Sequence, residues 1–195
     1  MRTFFLYFIV MFLTVSCAQS VPVTVVPELT YEHIAPVSLN VASFEVLDEY
    51  QPSLALPYVE HTLTTPLYTA VARMAQKAFF AKESPDQNYT LRLIIKEASI
   101  RLDTEHKVNK LSQLFGDQAF KKYHGRIHMY LEVIDIDGAV IGSGNSVLTR
   151  NLKMPEHYSL MQRNKMFFLM SEDMTRDLHQ ALDKLMKQKF SILLG

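Results

Sequence analysis

Tryptophan is absent, cysteine occurs once, and neither sign of charge is in excess: 20 Lys and Arg stand against 20 Asp and Glu in 195 residues. Each absence excludes something. Without a basic surplus there is no electrostatic footprint for nucleic acid, so no nucleic-acid partner is expected. Overall charge gives no reason to expect binding to anionic lipid either, which leaves acyl chains or apolar surface for any membrane contact. One cysteine cannot form an intrachain disulfide, and a lone free thiol is a liability in an oxidising compartment. There is no internal repeat and no low-complexity segment. What remains is ordinary for a globular protein, 48% hydrophobic and 21% charged, and the length fits one domain plus a tether.

The single cysteine stands at an informative place. Arg2 precedes an apolar stretch, Phe4 to Val15, and Ser16-Cys17-Ala18 follow. A positive start, an apolar run of about 7–15 residues and a small residue before the cut are the parts of a secretory signal. The run is shorter than the roughly 20 residues of a spanning helix. The segment resembles the lipobox of bacterial lipoproteins, with Leu13 one place early. It implies cleavage before Cys17 and a diacylglycerol on its thiol. Ordinary secretion with cleavage near Ala18 or Ser20, or an uncleaved anchor, are the rival readings. The expected organisation is a signal peptide over 1–16, a lipidated N-terminus and extended tether over 17–36, and one domain over 37–195. Removing Arg2 with the signal leaves 19 basic against 20 acidic side chains. Pro22, Pro27 and Pro36 suit an extended tether, because proline blocks helix and ladder pairing.

Along the domain, Val37, Leu39 and Val41 alternate with polar or small residues and predict a half-buried strand, continuing through Phe44 and Val46 with a slip in phase. Asp48 to Pro66 reads as a loop. Thr65-Pro66 predicts a helix start with Thr65 as N-cap, and the helix is expected to run to about Lys82. Its apolar face is Leu67, Ala70, Val71, Met74, Ala75, Ala78 and Phe79. A turn over Ser84 to Asn88 precedes a strand in which Leu91, Leu93 and Ile95 give way to Ala98, Ile100 and Leu102. That change of parity predicts a β-bulge near Lys96-Glu97. The segment from Asp103 to Gly116 is a polar excursion or a short helix. Asp137-Gly138 is a two-residue hairpin signal. It places Ile127, Met129, Leu131 and Val133 opposite Leu148, Ser146, Gly144 and Gly142. A helix can then approach closely over the two glycines. Ser159 and Gln162 have capping-box spacing ahead of a long helix to about Lys189. Phe167, Met170, Met174, Leu178, Ala181 and Leu185 form its stripe. The order β-α-β-β-β-α predicts an α+β two-layer sandwich: a mostly antiparallel four-stranded sheet with two helices on one face, the first strand joined by a helical crossover.

The chain offers little that looks like chemistry. His124 and His128 share a strand face, but only Glu132 stands near to extend the set, short of a tetrahedral metal site. Asp135-Ile136-Asp137-Gly138 begins like a calcium loop and lacks the later ligands. There is no nucleophile elbow, Walker loop or dinucleotide fingerprint. Glu60-His61 are adjacent on a loop, which says little about geometry. No catalytic residue, metal or cofactor is assigned. Met166, Met170 and Met174 fit a flexible apolar-ligand surface or plain core filling, and the two-layer fold favours the core.

Pro57-Tyr58-Val59-Glu60-His61, Phe115-Gly116-Asp117-Gln118, Tyr123-His124-Gly125-Arg126, Arg150, Pro155-Glu156, Ser159-Leu160 and Arg163 together resemble a group of small, uncharacterised alphaproteobacterial envelope lipoproteins. Members commonly carry Trp in the first helix, and this chain has none. The resemblance implies an envelope location and no activity. It points to Glu60, His61, Asp117, Gln118, Tyr123, Arg150 and Arg163 as a candidate partner surface. Arg150 and Arg163 could alternatively brace the strand-to-helix connection through Glu156 or Asp117. The order of elements is more loosely similar to lipopolysaccharide-assembly and transporter-auxiliary lipoproteins. The expected function is a non-enzymatic adaptor in outer-membrane assembly or envelope lipid transport, held on the periplasmic face of the outer membrane by acylated Cys17. Its partner is expected to be an envelope protein. A periplasmic carrier of an apolar ligand is the alternative, and a hydrolase is a third reading.

Overall fold

The computed structural model describes residues 29–32, 34–82, 88–104 and 119–194. Cys17, the signal, most of the proposed tether, Asp117, Gln118 and all but the start of the polar excursion lie outside the described residues. In chain order the elements are β1 (Val37–Leu39), β2 (Ser43–Asp48), α1 (Leu67–Ala78), β3 (Phe79–Ala81), β4 (Thr90–Leu102), β5 (Phe120–Ile134), β6 (Val140–Pro155) and α2 (Leu160–Lys189). The four-stranded sheet has the order β2-β4-β5-β6. β2 runs parallel to β4, and the other two pairings are antiparallel. The fold is therefore α+β with a mixed sheet. Its one parallel pair follows from the helical crossover through α1, since parallel neighbours cannot be joined by a tight turn.

The first predicted strand is two strands. The phase slip between Val41 and Phe44 is a real break: β1 pairs with β3 in a separate two-stranded parallel sheet, and β2 joins the main sheet. The first helix starts one residue later than expected. Pro66 takes the cap position in extended backbone, no side chain caps the helix, and Thr65 is not its N-cap. It also stops at Ala78, because Phe79 turns extended and begins β3. Phe79 is buried there against the rings of Phe44 and His179, each at 5.9 Å. Six of the seven predicted apolar positions are buried on the helix, and Phe79 is buried from the strand.

The core lies between one face of the sheet and the helices. Leu91, Leu93, Ile95, Ala98 and Ile100 of β4 and Ile127, Met129, Leu131 and Val133 of β5 meet Met74 and Val71 of α1 and Met170, Met174 and Leu178 of α2. Lys96 is the extra residue that lets both Ile95 and Ala98 face inward, where the register with β5 shifts. The capping box of Ser159 and Gln162 is formed. Further along α2 the buried positions are Leu182 and Met186, with Ala181 and Leu185 at the margin.

The β5–β6 register is the predicted one from Glu132 and Val133 downward, and it arises from two compensating departures. The turn has a three-residue loop, with Asp135 N–H donating to Ala139 O and Gly138 at φ +81°. One extra residue, Ile141, then bulges before Gly142 pairs with Val133. Asp135 holds the turn, since its carboxylate accepts from the N–H groups of Asp137 and Ala139 at 3.0 and 2.8 Å. The glycines do what close approach requires: Phe190 covers Gly142, Leu185 covers Gly144, and Met170 and Met174 lie directly over Gly125.

Ahead of β1, Tyr31 and Ile34 are already buried in the core. Tyr31 sits at φ +56° and its hydroxyl donates to Ala70 O at 2.8 Å. Packed structure thus begins before Val37, within the stretch read as tether. A buried aromatic ring repays the ordering of the chain that carries it.

Candidate functional site

The residues singled out from the sequence do not converge. Glu60 lies in a short 3-10 turn and is fully buried. Its carboxyl accepts a short hydrogen bond from Tyr50 Oη and a long one, 3.4 Å, from the N–H of Ile100. It fastens the loop over 49–66 to the edge of β4, where Val59 and Leu102 also exchange backbone bonds with Ile100 and Pro57. His61 beside it is exposed. Tyr123 is buried edge-on against Phe167 at 4.9 Å. Burial raises its phenol pKa, while the Arg163 guanidinium works in the opposite direction.

The two arginines act in different places. Arg163 braces the strand-to-helix connection, but through backbone: its guanidinium donates to the carbonyls of Tyr158 and Glu156 at 3.0 and 3.1 Å. Arg150 is directed elsewhere, with one nitrogen on Asp173 at 2.5 Å and another on Asp177 at 2.7 Å. Asp173 also pairs with Arg176. Four residues apart on α2, the two aspartates share a face, and Arg150 ties that face to β6.

The side of the sheet away from the helices carries a set of ion pairs. Arg92 bridges Glu45 at 3.0 Å and Glu132 at 3.8 Å across three strands. Arg126 pairs with Glu97, and Lys96 with Glu49. At the end opposite the hairpin turn lies a cleft of about 500 Å³, lined by the ends of β4, β5 and β6 together with Pro57. Arg101, His124 and Asn151 form one row across it, and Lys122 and Lys153 the next. His124 Nδ1 is 2.7 Å from Asn151 Oδ1. Tyr123 is the one described residue of the candidate surface that lines this cleft. Arg101, Lys122, Asn151 and Lys153 escaped the sequence reading. The signal was present, because the hairpin register carried to its far end sets Lys122 against Lys153. Among the described residues no cluster of three or more His, Cys, Asp or Glu side chains could hold a metal. Nor is any helix among them long and apolar enough to cross a membrane.

No protein-family model and no curated protein matches the chain. Solved structures with some similarity include a minor lipoprotein from Acinetobacter baumannii, 14% identical, covering 78% of this chain and 93% of that one at a TM-score of 0.39. Lipoprotein GNA1162 from Neisseria meningitidis is 12% identical, with 70% and 98% covered and a TM-score of 0.23. The PelC dodecamer from Paraburkholderia phytofirmans is 13% identical, with 71% and 91% covered and a TM-score of 0.23. Bacterial lipoproteins thus stand among the structures this chain is similar to, at scores that establish neither a common fold nor a common role.

Proposed function

We propose that this chain is a bacterial lipoprotein, anchored through acylated Cys17 on the periplasmic face of the outer membrane. It works without catalysis, as an adaptor or accessory component of envelope assembly or lipid transport. The observation that carries the reading is the one cysteine of the chain, placed directly after a charged start, an apolar run and a small residue. Ala18 in the following position is not the Asp associated with inner-membrane retention in some bacteria, which favours the outer membrane.

The packing weighs against the alternative of an apolar-ligand carrier with its cavity between sheet and helices. Side chains pack against the sheet over its glycines: Met170 and Met174 occupy the surface over Gly125, and Phe190 and Leu185 lie over Gly142 and Gly144. Of the three methionines singled out, Met170 and Met174 are buried in the core and Met166 is partly buried against it.

The test is intact mass of membrane-extracted protein beside a Cys17→Ala form. Cleavage before Cys17 plus acyl chains, lost in the variant, is the expected result. An unacylated mature chain in the soluble periplasm overturns the anchor. Affinity capture of the acylated protein from membranes is then expected to return an envelope protein, and repeated capture without one would remove the adaptor role.

A further inference from the structure

The two edges of the main sheet are built differently. β2, at one edge, is six residues long and carries Glu45 and Asp48. Short length and charge are ordinary protections of an edge against pairing with another chain. β6, at the other edge, is 16 residues long and pairs with β5 alone. From Val140 to Met154, no backbone group bonds outside that ladder to any other described residue. Every second residue therefore turns its N–H and C=O away from β5. The usual protections are missing here. Val140 to Thr149 carries no charged side chain, and the one proline of the strand stands at its very end, Pro155. The bulge at Ile141 blunts only the hairpin end. Midway along the strand, opposite His128, Val147 is 44% exposed.

We propose that this edge pairs with the same edge of a second copy of the chain, antiparallel, about a two-fold axis at Val147. A two-fold interface must be self-complementary, and the sequence of β6 meets that condition. With Val147 facing its own copy, Asn145 faces Thr149, Ser143 faces Asn151 and Gly144 faces Arg150. The two cations of the strand, Arg150 and Lys153, lie in one half of it. Antiparallel pairing sends them to opposite ends, with Lys153 against Ile141. Parallel pairing in register sets each cation against its copy, which is destabilising. The polar pairs can hydrogen-bond across the new ladder, and Val147 is covered. A second copy also suits the edge better than a disordered segment of another protein. β6 is already extended and held by β5, so pairing two copies orders no new backbone, whereas a disordered segment loses conformational entropy. The result joins two four-stranded sheets into one. The pairing does not depend on the lipid-anchor reading, since every residue in it belongs to the folded sheet.

The experiment is sedimentation velocity of the full chain in density-matched non-ionic detergent, beside disulfide trapping in membranes. The parent is expected to sediment as a dimer. Val147→Lys is expected to weaken association by about tenfold or more, because it sets two like charges face to face. Val147→Glu is expected to do the same, and co-expression of the two variants to restore the dimer. For trapping, Val147→Cys is expected to cross-link to itself under mild oxidation, since facing residues bring their Cα atoms within the roughly 4.4–6.8 Å that a disulfide spans. The parent, with Cys17 as its one cysteine, is the background. Asn145→Cys and Thr149→Cys are expected to cross-link when co-expressed and not singly, which reports direction and register. Trapping needs no charged variant, so it decides the matter even where a charge at Val147 impairs folding. A monomeric parent overturns the proposal. So does a dimer that the folded charge variants leave intact, or trapping at Val147→Cys no stronger than the parent's. Cross-linking of Val147→Cys to a different protein alone overturns the second copy and assigns the edge to a foreign strand.

Discussion

At the residue scale, the buried phenol of Tyr31 and the half-buried phenol of Tyr50 set the alkaline behaviour of the fold. Burial pushes Tyr31 up to about 12. Burial, then the hydrogen bond that its hydroxyl donates to the Glu60 carboxyl, push Tyr50 well above the ordinary tyrosine value. The folded chain therefore keeps two protons that the unfolded chain releases near pH 10. Stability from these groups is fully present below about pH 10 and is lost as the pH climbs toward about 12, the folded value of Tyr31. Urea midpoints measured from pH 8 upward should hold steady and then fall across that window. Tyr31→Phe should make the fall shallower, and a parent curve that stays flat to pH 12 would contradict the account. Glu60 itself is a loop anchor. Glu60→Ala leaves Tyr50 Oη and the Ile100 N–H without their acceptor, and an unpaired buried donor costs about 1–3 kcal/mol. Glu60→Gln, which keeps an acceptor, should cost markedly less in the same urea titration. Gly125 is the third sensitive residue, since a Cβ there runs into Met170 and Met174. Gly125→Val should destabilise by about 1–3 kcal/mol through overpacking, whereas in Gly125→Ala the flexible methionine ends can give way.

At the element scale, the long hairpin shows what pattern can and cannot reveal. Alternation along Ile127, Met129, Leu131 and Val133, with small residues opposite, was readable because one face must be buried and a one-residue slip would expose all of it. The turn was misread. Asp137-Gly138 satisfies the two-residue rule, but Asp135 offers its carboxylate to two backbone N–H groups and so favours the longer loop. The bulge at Ile141 then restores the register that burial demands. A burial pattern is a stronger constraint than a turn motif. Gly138→Ala, at φ +81°, should cost about 1 kcal/mol by thermal unfolding, since a Cβ is disfavoured in the left-handed region. The end of α1 was illegible for a related reason. Ala78-Phe79 continues the helical period, and only tertiary pairing of β3 with β1 decides otherwise. The capping box could be read because it is local, and Ser159→Ala should lower stability by about 1 kcal/mol.

At the scale of the whole molecule, the two-layer arrangement was visible in the order and periodicity of the elements. The parallel pair followed from the helical crossover, whereas the split of the first strand was not visible, because only pairing with β3 separates β1 from β2. The cleft was half legible. Lys122 opposite Lys153 follows from the hairpin register, but Arg101 joins them only through the β4–β5 pairing, whose bulge hides the alignment. Arg150 illustrates the same limit. As a brace it was expected to pair with Glu156 or Asp117, yet Asp173 and Asp177 take it. Arg150→Ala should cost about 1 kcal/mol in chemical denaturation, since these half-exposed pairs remain screened by water.

The long elements also have a mechanical meaning. The 30 residues of α2 extend about 45 Å at 1.5 Å each, and the 15 residues of β5 about 50 Å. The same helix and hairpin therefore pass through nearly every cross-section of the body. The β5–β6 ladder bonds stand perpendicular to the strands, so tension applied along the long axis loads them side by side and all at once. Such a body behaves as a strut: force delivered at the cleft end reaches the hairpin tip with little internal yielding.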